Sequence, residues 1–287
     1  MGRPIDRPAA WDATVLDDFA FNRPWNLLVK YLRVLARFRT KRLRHGTTIV
    51  IVNWNTIEVT RDALWAVRAL TGPEVDITIV DNGSTDGSRA WLRDEDGIRG
   101  ILLPANAGHA IALDIATLMA RTEIVVTLDS DAVPLSEAWL DAVLVPMRES
   151  GTVLAGLRSS RDFVHPVFLA VDVASFVRRR LSFQVFREPG VTDDAQIWGV
   201  NSWDTAELMT GRLDADEIAF VDTSPNPVSG LPGMTAGGVV YHHGGVTRSV
   251  DADAGNDSYC QWRSAIGALL PVEALRPCAV ARRVGGL

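Results

Sequence analysis

Two carboxylates one residue apart close an apolar run at Val125 to Pro134, VVTLDSDAVP. Val125, Val126 and Leu128 read as a buried strand, and such a strand does not ordinarily finish on Asp129-Ser130-Asp131. If the strand alternation continues, Asp129 and Asp131 point to the same side, and two ionised carboxylates side by side repel each other. A divalent cation removes that penalty. Mg²⁺ or Mn²⁺ prefers oxygen ligands, is held by one or two carboxylates, and completes its shell with water and substrate phosphates. Such a site suits the departure of a phosphate leaving group, whose developing charge the metal offsets. Alternatively, Asp129 hydrogen-bonds a ribose hydroxyl while Asp131 alone holds the metal. Asp-x-Asp in isolation is also the signature of a solvated turn, so its surroundings have to decide.

Those surroundings alternate. TTIVIVNWN from Thr47 reads as a buried strand, EVTRDALWAVRAL as a helix, VDITIVDNGS as a second strand and STDGSRAWLRD as a short capped helix. RGILLPAN is a third strand, AGHAIALDIATLMA a third helix and TEIVVTLDSD a fourth strand. SEAWLDAVLVPMRE follows as a helix with Ser136 as N-cap, then GTVLAGL as another strand. Strands alternating with helices imply crossover connections and a mainly parallel sheet with helices on both faces. Ligands bind such open sheets at the carboxyl ends of the strands. Four polar clusters fall there: Asn53 to Asn55, Asp81 to Gly83, Asn106 to Gly108, and Asp129 to Asp131. After Leu157 the expectations are one or two buried strands in HPVFLAVDVASFV, a helix in WDTAELMTGRL and a strand in DEIAFVDT. GGVVYHHGG reads as a strand delivering two histidines.

The chain of 287 residues is 47% hydrophobic, enough for one large α/β domain. Two cysteines, Cys260 and Cys278, fit a reduced cytoplasmic protein. The first residues lack the apolar core of a secretory signal, and no apolar run reaches the ~20 residues of a membrane helix. The net charge of −6 is unevenly spread. Phe19 to Gly46 holds no Asp or Glu and eight cations, so the remainder carries −14, which is −6 less those 8 positive charges. Within that arm, Leu28, Tyr31, Leu32, Leu35 and Phe38 share one face of an expected helix. Lys30, Arg33, Arg37, Lys41 and Arg44 share the other. The arm is either a helix packed on the main domain with a solvated basic face or a surface helix drawn to anionic lipid through residues 23–44. The acidic body excludes nucleic acid as the expected partner.

TTIVIVNWN, ITIVDNGSTDGS, PANAGHAIAL and VTLDSDAVP together, in this order from about Thr47 to Leu157, resemble the nucleotide-sugar-binding half of glycosyltransferase family 2. This is a GT-A fold family of mostly inverting enzymes. Asn-x-Gly after the third strand is similar to the rhamnosyltransferase-like branch. The resemblance implies that the backbone at Val52 and Asn53 lines a base pocket and that Asp81 contacts base or ribose. The turn from Asn106 to Gly108 would help to close the nucleotide site. Asp129 would lie near the ribose, Ser130 between the two acids, and Asp131 on a metal bridging the diphosphate. Without the family, Asp81 reads as a turn cap and Asn106 as a plain turn residue.

The family also uses a late carboxylate as general base, often in a Glu-Asp pair opening a helix. The second half of this sequence lacks that pair. Asp204 in GVNSWDTAELMTGRL stands in its place, with Asp193 and Asp194 as rivals and an N-cap as the alternative use of Asp204. VVYHHGGVTR resembles the family's C-terminal histidine and Gly-rich loop. That implies His242 or His243 on the metal, with His242 preferred because only one of two adjacent side chains can face the cleft. Thr247 or Arg248 would touch phosphate. His165, before Pro166 on an apolar run, reads as structural, with a place near the acceptor as the alternative, and His45 and His109 read as surface or turn residues.

The chain is accordingly expected to consist of a basic arm (1–46), a nucleotide-sugar half (47–157) and an acceptor half (158–287) of one GT-A domain. The expected reaction is metal-dependent inverting transfer of a sugar from a UDP- or dTDP-sugar to a hydroxyl acceptor. The location is cytoplasmic, peripheral at the inner membrane face if the arm binds lipid; a homodimer is left open. The alternatives are a nucleotidyltransferase acting on sugar phosphates, disfavoured because NWNTIEVTRD supplies no glycine-rich loop, and a non-catalytic nucleotide-sugar-binding or partner protein.

Overall fold

The structure is a computed structural model that describes residues 23–184, 204–228, 230, 232–244 and 255–276. In chain order it begins with α1 (Arg23–Arg39), β1 (Arg44–Asn53), α2 (Ile57–Ala69), β2 (Asp76–Asp81), α3 (Ser88–Asp94) and β3 (Arg99–Leu102). Next come α4 (His109–Met119), β4 (Thr122–Asp129), β5 (Ala132–Pro134), α5 (Asp141–Ser150), β6 (Leu154–Arg158), β7 (Val164–Asp172) and α6 (Val173–Arg178). The last are α7 (Glu207–Thr210), β8 (Ile218–Val221), β9 (Thr223–Pro225), β10 (Met234–Ala236), β11 (Val240–His242) and α8 (Gly255–Leu269).

The main sheet has the order β3-β2-β1-β4-β7-β6-β8. β3, β2, β1 and β4 run parallel, β7 pairs antiparallel with both β4 and β6, and β8 is parallel to β6. The expected mainly parallel sheet flanked by helices is present. Ile49 to Val52 and Val125 to Leu128 are buried on both faces, as strands of a two-sided parallel sheet must be. One face is covered by α4, α1 and α6 and the other by α3 and α5, giving two apolar cores. α4 is apolar nearly all round because α1 lies over its outer side: Ile111 to Leu118 are buried without a break. A smaller sheet of order β5-β11-β10-β9 grows out of the end of β4. It packs with α2 and α8 around Tyr241 and Trp262.

Several local expectations shift. The helix expected from Ser136 begins at Asp141; Ser136 instead accepts from the Trp139 amide in a preceding turn that sinks Trp139 into the core. HPVFLAVDVASFV is one strand followed by a helix, because the Asp172 side chain caps α6 by accepting from the Ser175 amide at 2.6 Å. α7 is only four residues long. The face of α1 is also different. It buries Val29, Leu32, Ala36 and Arg33, whereas Tyr31, Leu35 and Phe38 are exposed. Arg33 goes in because its guanidinium donates to the Phe176 carbonyl at 3.1 Å and the Leu181 carbonyl at 2.7 Å, at the end of α6. Burial lowers its pKa, with Asp114 opposing that shift.

Candidate active site

The parallel register sets Asn53 beside Asp81 and Val52 beside Asp129, so three of the four polar clusters start from one line across the sheet. The first two are knitted shut. Asn53 is fully buried and uses its whole amide. Its nitrogen donates to Asp81 at 3.2 Å and to Ser84 Oγ at 3.1 Å; its oxygen accepts from Thr56 and Thr60. Asp81, also fully buried, accepts from the Ser84 amide at 3.2 Å and from Arg89 at 3.1 Å. Its carboxylate therefore acts as a turn cap here, whatever else it does.

Asn82 extends the mesh to the third cluster. It donates to Asn106 Oδ1 at 2.9 Å and accepts from the Ala107 amide at 2.8 Å, while Asn106 also accepts from the Gly108 amide. The two turns touch so closely that a Cβ on Gly83 would meet the Ala105 carbonyl carbon at 2.4 Å. Gly108, at φ 87°, opens α4.

The fourth cluster is of another kind. The chain leaves β4 at Asp129, turns through buried Ser130 and Asp131, and enters β5 at once. β5 pairs antiparallel with β11, Ala132 opposite His242, and the His243 amide donates to the Asp131 carbonyl at 3.1 Å. That pairing carries His242 Nε2 to 3.3 Å from Asp131 Oδ1 and 3.8 Å from Asp129 Oδ2. Ligand atoms of Asp129, Asp131 and His242 all lie within 4.8 Å of one another. Two cis ligands on an octahedral ion with bonds of ~2.1 Å stand about 3 Å apart, so this group needs little contraction to hold one. Two carboxylates and one imidazole suit Mn²⁺ or Mg²⁺, the imidazole adding a nitrogen ligand.

The alternation of β11 separates His242 from His243. His243 turns the other way, its Nδ1 2.9 Å from the Tyr241 hydroxyl and its ring edge-on to Trp262. Burial lowers its pKa, and it takes no part in the acidic group.

Two histidines read from sequence as structural or surface residues stand at this site. His109, first residue of α4, puts Nε2 3.6 Å from Asp129 Oδ1. His165, near the start of β7, accepts at Nδ1 from the Val167 amide at 3.3 Å and sets Nε2 3.8 Å from Asp204 Oδ2. Burial lowers the His165 pKa, while the negative charges of Asp129 and Asp204 oppose that shift. A signal was available for His109, which immediately follows the Gly108 turn at a strand's ligand end. For His165 a place near the acceptor was only the alternative reading, because it comes from an antiparallel strand outside the alternating pattern.

Asp204 is not an N-cap: α7 starts at Glu207 behind Ala206, which has φ 70°. Its carboxylate accepts from the Thr205 amide at 2.7 Å and is half exposed, with Arg161 3.8 Å away. Arg161 also pairs with Glu207 at 3.0 Å. Asp193, Asp194, Thr247 and Arg248 lie outside the described residues.

Residues 48–187 match the profile of Glycosyl transferase family 2. The match is to the family as a whole and does not distinguish its branches. No curated protein sequence matches. Among solved structures, the chain is similar to the mannosyltransferase PcManGT from Pyrobaculum calidifontis in complex with GDP-Man and Mn²⁺. That alignment has 18% identity, a TM-score of 0.41, and covers 57% of this chain and 58% of that one. S. aureus TarS aligns at 15% identity and TM-score 0.46 over 62% of this chain and 35% of that one. Glucosyl-3-phosphoglycerate synthase from Mycobacterium tuberculosis, in complex with Mn²⁺, uridine diphosphate and glucosyl-3-phosphoglycerate, aligns at 17% identity and TM-score 0.47 over 85% of each chain. The chain thus spans less than two thirds of the first two proteins.

Proposed function

We propose that this glycosyltransferase is a metal-dependent inverting enzyme that moves a sugar from a UDP- or dTDP-sugar to a hydroxyl acceptor. The observation that carries this reading is the convergence of Asp129, Asp131 and His242 at the ligand end of β4. Asp131 and His242 would hold Mn²⁺ or Mg²⁺, with Asp129 either a third ligand or a ribose acceptor. The bound ion would offset charge on the departing diphosphate.

The chain's own groups supply the rest. The mesh from Asn53 through Asp81 and Asn82 to Asn106 holds the strand-end backbone rigid, so a nucleotide laid across Val52 and Asn53 meets a preformed wall. His109, at the first turn of α4, adds a donor beside Asp129. Asp204, half exposed, takes the proton from the acceptor hydroxyl as its oxygen attacks the anomeric carbon from the face opposite the diphosphate. His165 stands next to it, uncharged where burial wins, and orients either the carboxylate or the acceptor.

Thermal stability measured with UDP-, dTDP- and GDP-sugars, with and without Mn²⁺, tests the reading on wild type and Asp131→Ala. A ligand at a hundred times its dissociation constant adds about 2.7 kcal/mol. A metal-dependent shift for a UDP- or dTDP-sugar, lost in Asp131→Ala, is the expected result. A shift with GDP-sugars alone would overturn the donor class, and equal shifts with and without metal would overturn the metal site.

A further inference from the structure

α1 presents an apolar ridge to solvent. Leu27, Tyr31, Val34, Leu35 and Phe38 are 67%, 60%, 53%, 39% and 73% exposed. These are half of the large exposed hydrophobics among the described residues, concentrated on one helix of 17 residues. Their spacing of four, three, one and three residues puts them in one stripe about 16 Å long. The stripe is no by-product of loose docking. The opposite side of α1 is fixed by Val29, Leu32, Ala36 and the buried guanidinium of Arg33, and Arg39 anchors the helix end on the Leu118 carbonyl.

The charges around the ridge select its occupant. Lys30, Arg37 and Lys41 are exposed along one margin, and Arg42 follows at the C-terminal end. No acidic side chain occurs from Phe19 to Gly46, although the rest of the chain is strongly acidic. An acidic protein approaching an anionic surface can do so only by its basic face, which fixes the orientation. A second copy of the same ridge would bring two sets of these cations together, so a symmetric pairing is electrostatically opposed. An apolar stripe with Tyr and Phe, bordered by Lys and Arg and free of acids, is the pattern of a helix lying in the interface of a bilayer.

We infer that α1 docks the protein in the plane of an anionic phospholipid surface. Leu27, Tyr31, Val34, Leu35 and Phe38 enter the headgroup boundary, and Lys30, Arg37, Lys41 and Arg42 engage the phosphates. The inference is independent of the transferase reading, since no residue of α1 belongs to the acidic site.

The test is co-sedimentation of the full chain with vesicles of phosphatidylcholine alone and of phosphatidylcholine with a third of phosphatidylglycerol. Binding is expected only to the second. It should be lost in Leu27→Ser/Tyr31→Ser/Phe38→Ser and weakened about a hundredfold in Lys30→Gln/Arg37→Gln/Lys41→Gln, three cations being removed from the surface. Both sets lie on the exposed side, and an unchanged melting temperature shows that the fold is kept. Absence of wild-type binding to the anionic vesicles overturns the inference. So does binding that the serine variant retains. A dimer in light scattering that the serine variant dissolves, without vesicle binding, assigns the ridge to a second copy instead. Binding that appears only after deletion of residues 1–22 assigns it to that segment.

Discussion

The ligand edge of the sheet carries two polar clusters built from the same residue types to opposite ends. At the tips of β1, β2 and β3, Asn53, Asp81, Asn82 and Asn106 are buried and spend their side chains on one another and on nearby backbone. At the tip of β4, Asp129 and Asp131 are set against each other and approached by imidazoles from two different elements, His109 of α4 and His242 of β11, at 3.3 to 3.8 Å. One cluster closes its hydrogen bonds internally and gains rigidity. The other concentrates like charge at a place where only a cation can settle it. Buried polarity at a strand end is therefore not by itself a sign of chemistry; what separates the two is whether like charges are gathered at one point.

The sharpest break in that comparison is Asp131→Ala. Turnover should fall about a thousandfold, since the charge on the leaving group loses its counterion. The melting temperature without ligand should stay level or rise, because a repulsion has been removed. A large drop in that temperature would make Asp131 part of the scaffold. Asp204→Asn comes next. Donor-dependent stabilisation should be unchanged while turnover falls about 10²- to 10⁴-fold, the usual worth of a positioned base. Near-normal turnover would transfer the role to Asp193 or Asp194.

Asp81→Ala should do the reverse of Asp131→Ala. It leaves Asn53 and the Arg89 guanidinium without their buried acceptor and should cost about 2–3 kcal/mol of stability. That is a loss of several degrees, at about 2–4 °C per kcal/mol for a chain of this size. Mn²⁺ binding, followed by calorimetry below the melting range, should persist.

The smallest effect concerns Asp114 on α4. It is wholly buried and accepts from Ser182 Oγ at 2.6 Å, the Phe183 amide at 2.9 Å and Gln184 at 3.0 Å. Burial raises its pKa above the ordinary 3.8, with Arg33 opposing. A carboxyl that holds its proton more tightly folded than unfolded contributes stability below pH 3.8, and that contribution is lost as pH rises through the elevated folded value. The stability of wild type relative to Asp114→Asn should therefore decline with rising pH across that window, in urea titrations at stepped pH. A flat difference would mean that the three donors keep Asp114 ionised.

The first half of the chain was legible in its sequence because each signal there is local. β-branched runs bury on both faces, each ends on a polar turn, and the parallel order lines those turns up. Asp129 and Asp131 could be singled out for the same reason. The misreadings share a cause, namely a partner supplied from far along the chain. Arg33 was set on the solvated side of α1 because nothing near it in sequence announces the carbonyls of Phe176 and Leu181. His165 reaches the site from β7, antiparallel to the strands whose pattern was readable. His242 was distinguishable from His243 only as one side of a strand from the other, and the pairing with β5 decides which side.

That pairing of β5 with β11 also fixes the order in which the molecule can become competent. β1 to β4 and α2 to α4 are neighbours in sequence and can find one another while the chain is still being synthesised. The acidic pair of Asp129 and Asp131 thus exists well before His242 has been made. Until β11 closes the long loop back onto β5, a contact of high sequence separation and correspondingly slow to form, the nascent half-site has the two carboxylates and His109 but not His242. His242 is the last of the three to arrive, so completion of the small sheet is also the step at which Asp129, Asp131 and His242 first stand together.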